Sequence, residues 1–418
     1  MSCKVKFLKK SKISSNIIAL VFVQFANYIA PLMVLPYLTR VLSVDGFGLV
    51  VMTISMCGIA MILTDFGFNL SGTYWISKNR DDKKEISKYI GAVTTIKFLL
   101  CVVSSVSVLI YSYCSDIDFG FSILVAVVAI IFSQGFQLTW LFQGIEKMKN
   151  VTTCMVVAKL FYVIAILLIV KEQSDTATVL LCLAVSNMIS TIIGFILLYK
   201  EGLSLEKPAW SQVVSAFKDS FSFFLSRAAV GLYTSASTFI VGSVSGIPQA
   251  ALYSSAEKLY QAGQGVTAPV SQALYPYLAR SGDIRALYKF VLILLVPLVL
   301  GCSVCYLFAE DILRIFYGEQ FSSAYSILRM FLICSVINFI SVNFGYPAFS
   351  TIGRLDIVNR SVYIGGIAQF CSLGYLFSTN NVNAYNVVLS VLCVEIVVMV
   401  IRVCSFYYFF NEYNKCRN

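Results

Sequence analysis

Nine ionisable side chains stand inside long apolar runs: the cations Lys97, Lys159, Arg227, Lys258, Arg329 and Arg402, and the acids Asp65, Glu257 and Glu395. Each costs on the order of 2.5–3.5 kcal/mol to place near the centre of a membrane helix, so such residues face a polar interior or a partner by default. Six cations against three acids favour an anionic ligand. The expectation is that the cations line a cavity between two halves of the chain. An inner group (Lys97, Lys159, Arg227 and Arg402) would pass an anionic headgroup to an outer pair, Lys258 and Arg329. The plainer alternative is that each snorkels to its own interface or pairs locally, which suits Arg329 and Arg402 near the ends of their runs. Glu257 and Lys258 are adjacent and point apart, whereas Glu395 and Arg402, seven residues apart, share a helix face. Intramembrane carboxylates are the available relay groups, so Asp65, Glu257 or Glu395 could couple an ion gradient to transport. A second line is polar and uncharged. Gln24, Asn27 and Tyr28 recur at helical spacing with Pro31 on the same face, and with 24 Tyr in the chain they suit a sugar ligand.

The chain contains no His, which removes the commonest general base, His-dependent zinc sites and the imidazole pH switch. No catalytic group, metal or cofactor is expected. No phosphate-binding G-x-x-x-x-G-K-[ST] occurs either, so the chain carries no ATPase of that kind.

The elements that must hold these charges are membrane helices. The 418 residues are 58% hydrophobic and 12% charged, with a mean hydropathy of +0.82. Soluble chains carry about 25% charge. Runs of about 20 apolar residues give twelve spans in an all-α polytopic protein. The first six are 13–37, 49–76, 89–111, 119–142, 151–170 and 178–198. The second six are 217–244, 250–279, 286–308, 324–350, 357–377 and 387–410. The N-terminal run continues for a full span without a small-residue cleavage site, so it reads as a retained helix. The longest interruption divides the chain into a bundle over 1–199, a cytoplasmic linker over 200–216 and a second bundle over 217–418. Laying the second span on the eighth gives only Leu49/Leu252, Thr64/Thr267 and Tyr74/Tyr277, so the repeat rests on count and spacing.

Twenty-two loop cations fall on one side of this arrangement and three (Arg40, Lys171 and Arg314) on the other. The positive-inside rule then sets both termini in the cytoplasm. This topology explains the net charge of +10 better than a nucleic-acid-binding face does. Most of the 13 Cys sit in apolar runs, among them Cys57, Cys101, Cys154, Cys182, Cys334, Cys371, Cys393 and Cys404. They read as buried small hydrophobes, and Cys302 and Cys305 read as packing.

Four stretches carry a resemblance. PLMVLPYLTRVLSVDGFG (31–48) resembles the first-helix signature of bacterial O-antigen flippases and related polysaccharide exporters. LTDFGFNLSGTYWIS (63–77) is similar to the end of that family's second helix. WLFQGIEKMKN (140–150) looks like its fourth-helix exit, and LYSSAEKLYQAGQGVTAPVSQALYPYLA (252–279) like its eighth helix. Ser43 departs from the pattern, which often has Gly there and would change only the turn. Arg40, Asp65, Gln143 and Gly144 are motif positions by this resemblance. It implies two six-helix bundles in a V, as in multidrug exporters of the same superfamily, with a MATE-like shape. It also implies a substrate, undecaprenyl-pyrophosphate carrying an oligosaccharide repeat unit, turned from the cytoplasmic to the periplasmic leaflet of the inner membrane. The implied partners are membrane lipid, an O-antigen polymerase and a chain-length regulator. A drug exporter of this fold predicts a cavity of acids and aromatics. A membrane enzyme of polysaccharide assembly predicts a His/Asp centre or a large periplasmic loop, which this chain lacks.

Overall fold

The computed structural model describes residues 32–417. Gln24, Asn27 and Tyr28, with most of the expected first span, lie outside the described residues. Two compact units divide the chain, one running to Gly231 and the other beginning at Leu232. Among the described residues the regular structure is helical. The first unit holds α1 (Leu32–Val41) and α2 (Val44–Asp65), α3 (Phe68–Lys78), α4 (Lys83–Cys114), α5 (Gly120–Gly135), α6 (Thr139–Gly144), α7 (Met148–Ile169) and α8 (Thr176–Lys200). The division falls inside α9 (Trp210–Ser235). Beyond it come α10 (Ser237–Ser245), α11 (Ile247–Ser281), α12 (Ile284–Leu307), α13 (Ala309–Tyr317), α14 (Tyr325–Asn343), α15 (Tyr346–Ser350), α16 (Leu355–Ser378) and α17 (Ala384–Arg417).

Local chemistry sets several helix starts. The Ser43 hydroxyl accepts from Gly46 N at 3.0 Å and caps α2, so the residue that departs from the family pattern serves the turn directly. Asp82 caps α4 through Lys84 N and Glu85 N at 3.1 and 3.0 Å, and Asp283 caps α12 through Ala286 N at 3.1 Å. Such caps satisfy donors that a helix start leaves free.

Among the described residues eight stretches are long and apolar enough to cross a membrane: five in the first unit, with α2–α3 and α5–α6 each counted as one, and three in the second, with α14–α15 counted as one. Helices α9, α11 and α16, of 26, 35 and 24 residues, are also long enough, but their sequences are more polar. The second, fourth, seventh and tenth expected spans are not continuous. They break at 66–67, 136–138, 236 and 344–345. A hydropathy window cannot register a change of backbone direction inside an apolar run.

In the first unit α5 and α7 both pack on α8, and Trp75 stacks on Tyr89 at 4.0 Å beside buried Trp140. The chain after α8 lies against α4. Ser204 N donates to Ser87 Oγ at 3.1 Å, and a Cβ at Gly91 would sit 1.9 Å from the Glu206 carbonyl oxygen. In the second unit α14 and α16 pack on α17, with Phe344 and Phe349 edge-on to Phe406 at 5.8 and 5.6 Å. Of α12 only Leu287 and Val291 are buried. Cys57, Cys101, Cys154, Cys182 and Cys334 are buried as the sequence suggests, but Cys371, Cys393 and Cys404 are exposed. A membrane helix is apolar on its outer face too, so apolar surroundings in sequence do not imply burial.

Candidate functional site

The charges gather into separate clusters, each built at a helix break or helix contact. In the first unit α2 ends at Asp65 because Phe66 and Gly67 take left-handed backbone, with φ of 45° and 77°. Gly67 is needed for a second reason: a Cβ there would stand 2.8 Å from both Phe223 Cβ and Phe224 N. Helix α9 therefore lies directly against the break. The Phe66 ring stacks on Phe217 at 4.5 Å and Phe224 at 4.7 Å. The Asp65 carboxylate accepts from Asn69 Nδ2 at 2.6 Å and from the backbone at Gly67 and Asn69. Lys97 of α4 and Arg227 of α9 both lie within Coulombic reach of it. Lys97 is only 6% exposed and its Nζ donates to the Gly135 carbonyl at 2.9 Å. Arg227 is exposed, and Lys159 is half-buried on α7.

The second unit separates its charges. Glu257 accepts from Thr238 Oγ1 at 2.9 Å, while neighbouring Lys258 donates to Gln261 Oε1 at 3.1 Å. Glu395, 8% exposed, accepts from Asn338 Nδ2 at 3.3 Å. Asn338 Oδ1 accepts from Gln264 Nε2 at 3.1 Å, and that nitrogen also lies 2.6 Å from Tyr260 OH. The chain of amides thus joins α17, α14 and α11. Beside it opens a mostly apolar cavity of about 530 Å³ between α11, α12 and α14, lined by Leu294, Leu298, Leu328 and Phe339 among others.

Arg329 is held at its own helix end. Its Nε donates to Tyr306 O at 3.1 Å, and its guanidinium lies 5.0 and 4.9 Å from the Tyr306 and Tyr325 rings. Arg402 donates to Ser361 Oγ at 2.9 Å and to Ser341 O at 3.0 Å. Glu395 and Arg402 share a face and both bond to α14, at Asn338 and Ser341, while Arg402 also reaches α16 at Ser361. The structure thus brings together Asp65, Lys97 and Arg227, and it ties Glu395 to polar residues of two other helices. Asn69 stands four residues after Asp65, but its bond spans the left-handed break and so does not follow from helical spacing. Ser341 and Ser361 carried no such signal, because their role depends on where α17 passes.

The arrangement offers charge and hydrogen bonds on long helices, and among the described residues no group of three or more Cys, Asp or Glu could hold a metal ion. Its fold is that of the MOP superfamily transporters. A MATE family multidrug resistance transporter of that superfamily, in an inward-facing conformation, matches with a TM-score of 0.69 at 14% identity, over 95% of this chain and 99% of its own. The lipid II flippase MurJ, in an inward closed conformation, matches with a TM-score of 0.71 at 11% identity, over 93% and 87%. The chain belongs to the polysaccharide biosynthesis protein family, whose model matches residues 13–282. Two relatives bear the name "Putative O-antigen transporter". One, from Shigella dysenteriae, is 28% identical over 92% of this chain and 97% of its own length. The other, from Escherichia coli K12, is 29% identical over 64% and 65%. The chain is a multi-pass membrane protein whose relatives and structural neighbours are transporters.

Proposed function

We propose that this protein moves undecaprenyl-pyrophosphate-linked O-antigen repeat units from the cytoplasmic to the periplasmic leaflet of a bacterial inner membrane, by alternating access. The observation that carries the reading is the match to the Shigella protein over 97% of that protein's length and 92% of this chain. Helices α9, α11 and α16 are taken to cross the membrane as well, their polar residues facing a hydrated path. With the N-terminal segment they make twelve spans in two six-helix bundles (1–199 and 217–418, joined by 200–216), both termini in the cytoplasm.

Arg227, Lys159 and Lys258 are the cations assigned to the pyrophosphate. Arg227 is exposed and the two lysines are half-buried, unlike Lys97, which is enclosed in protein. Tyr260, Gln264 and Asn338 supply the paired donors and acceptors that a glycan needs, and the isoprenoid tail stays in lipid. Asp65, Glu257 and Glu395 are the groups through which an ion gradient would act. An O-antigen polymerase and a chain-length regulator would take the product. Complementation of flippase-null strains tests the reading. Expression of this chain should restore surface O-antigen in at least one strain, and failure in strains covering all common O-unit types, with the protein present in the membrane, would refute it.

A further inference from the structure

The fourth and tenth expected spans occupy the same place in the two halves of the chain, and both are broken. Three residues separate α5 from α6, and two separate α14 from α15. Their exits correspond as well. Glu146 and Gly353 both take positive φ, 59° and 71°. Lys147 N then donates back to Phe142 O at 2.8 Å, as Arg354 N does to Phe349 O at 3.2 Å.

A helix that ends within a membrane leaves its last carbonyls without backbone donors and carries partial negative charge there. At the first break Gly135 O accepts from Lys97 Nζ at 2.9 Å. At the second, Ser341 O accepts from an Arg402 guanidinium nitrogen at 3.0 Å, while the Arg402 Nε donates to Ser361 Oγ on α16 at 2.9 Å. Both sites depend on glycine for space. A Cβ on Gly135 would meet Cys101 Sγ at 2.7 Å, and one on Gly345 would stand 3.3 Å from the Arg402 guanidinium. Among the described residues Lys97 and Arg402 are the cations that are buried. A buried cation needs a compensating partner, and at each break the negative end of a half-helix supplies one.

We propose that Lys97 and Arg402 are positioning residues, matched charge caps on matched helix breaks, and that neither touches the transported headgroup. This removes Lys97 from the ligand set that the sequence suggests. Lys97 also lies within Coulombic reach of the Asp65 carboxylate at the end of α2.

Hydrogen–deuterium exchange on the full-length protein in lipid nanodiscs is the primary test of the proposal and does not depend on transport; O-antigen display serves only as a second readout. Lys97→Met should speed exchange across 136–142 by roughly ten- to hundredfold, the range for losing a charged hydrogen bond, and leave 344–350 unchanged. Arg402→Met should do the reverse. Maleimide labelling of buried Cys101, followed site by site, should rise in Lys97→Met only. If the Met variants do not accumulate, two milder changes still decide. Ser361→Ala should give a smaller rise across 344–350, and Lys97→Arg should keep both the protected break and O-antigen display. Unchanged exchange at both breaks after loss of the cations would overturn the proposal. So would loss of display in Lys97→Arg with the first break still protected, because Lys97 would then be reading the substrate directly.

Discussion

At the scale of single residues, accessibility divides the charges that one hydropathy scan treats alike. Arg227 is exposed beside Asp65, whereas Arg402 is enclosed by serine hydroxyls and a peptide carbonyl. Arg227→Ala and Lys159→Ala should therefore lower O-antigen display by about tenfold or more, the range for losing a charge-assisted contact, with little change in thermal midpoint. Display in cells and unfolding in detergent measure the two effects separately. Glycines divide in the same way. Gly91→Ala would drive a methyl into the Glu206 carbonyl and should cost about 1–3 kcal/mol or prevent accumulation. Gly374, with nothing within 4 Å of an added Cβ, should accept Ala within about 0.5 kcal/mol. Asp175, outside the spanning segments, accepts from Lys171 N and Glu172 N at 2.8 and 2.9 Å and from the Thr178 hydroxyl at 3.3 Å. These bonds, the backbone pair foremost, hold its carboxyl below the usual carboxylate range. A lowered carboxylate stabilises the fold above its unfolded value, about pH 4, and that contribution is lost as pH falls through the folded value. Asp175→Asn should therefore melt below the wild type at about pH 7 and match it near about pH 3.

At the scale of elements, apolar runs located the described helices well, because bilayer thickness fixes their length. They could not locate the breaks. Asp65-Phe66-Gly67 carries a glycine, yet the need for it comes from Phe223 and Phe224 on α9, far away in sequence. The break at 136–138 has neither Gly nor Pro within it. Its free carbonyl is satisfied by a lysine 38 residues earlier, a pairing that only the packing of α4 on α5 creates. The same limit hides the burial of Lys97 from the sequence: burial in lipid and burial in protein give one hydropathy signal. Gly67→Ala would add both an unfavourable φ and a clash with α9. It should destabilise the first unit by more than about 1 kcal/mol and raise the reactivity of Cys57, buried on α2, towards a membrane-permeant maleimide.

At the scale of the whole molecule, loop charge makes a topological forecast that does not depend on the substrate. Reporter fusions after residues 200 and 282 should report the cytoplasm, and fusions after residues 118, 174 and 318 the periplasm. Any fusion of the second group reporting the cytoplasm would break the twelve-span reading. Helix α12 carries a different consequence. Two of its 24 residues are buried and six more, from Ile284 to Leu298, are partly buried against the core, but its other face, with Leu292, Ile293, Val296, Leu300 and Val304, is exposed. What constrains that face is solvation by lipid, not shape. In a saturation mutagenesis screen this face should form a band of tolerance, accepting nearly any apolar replacement and rejecting charge, while the positions of α12 packed on the core, Leu287 and Leu294 among them, should not. Drift among distant relatives should concentrate along the same face.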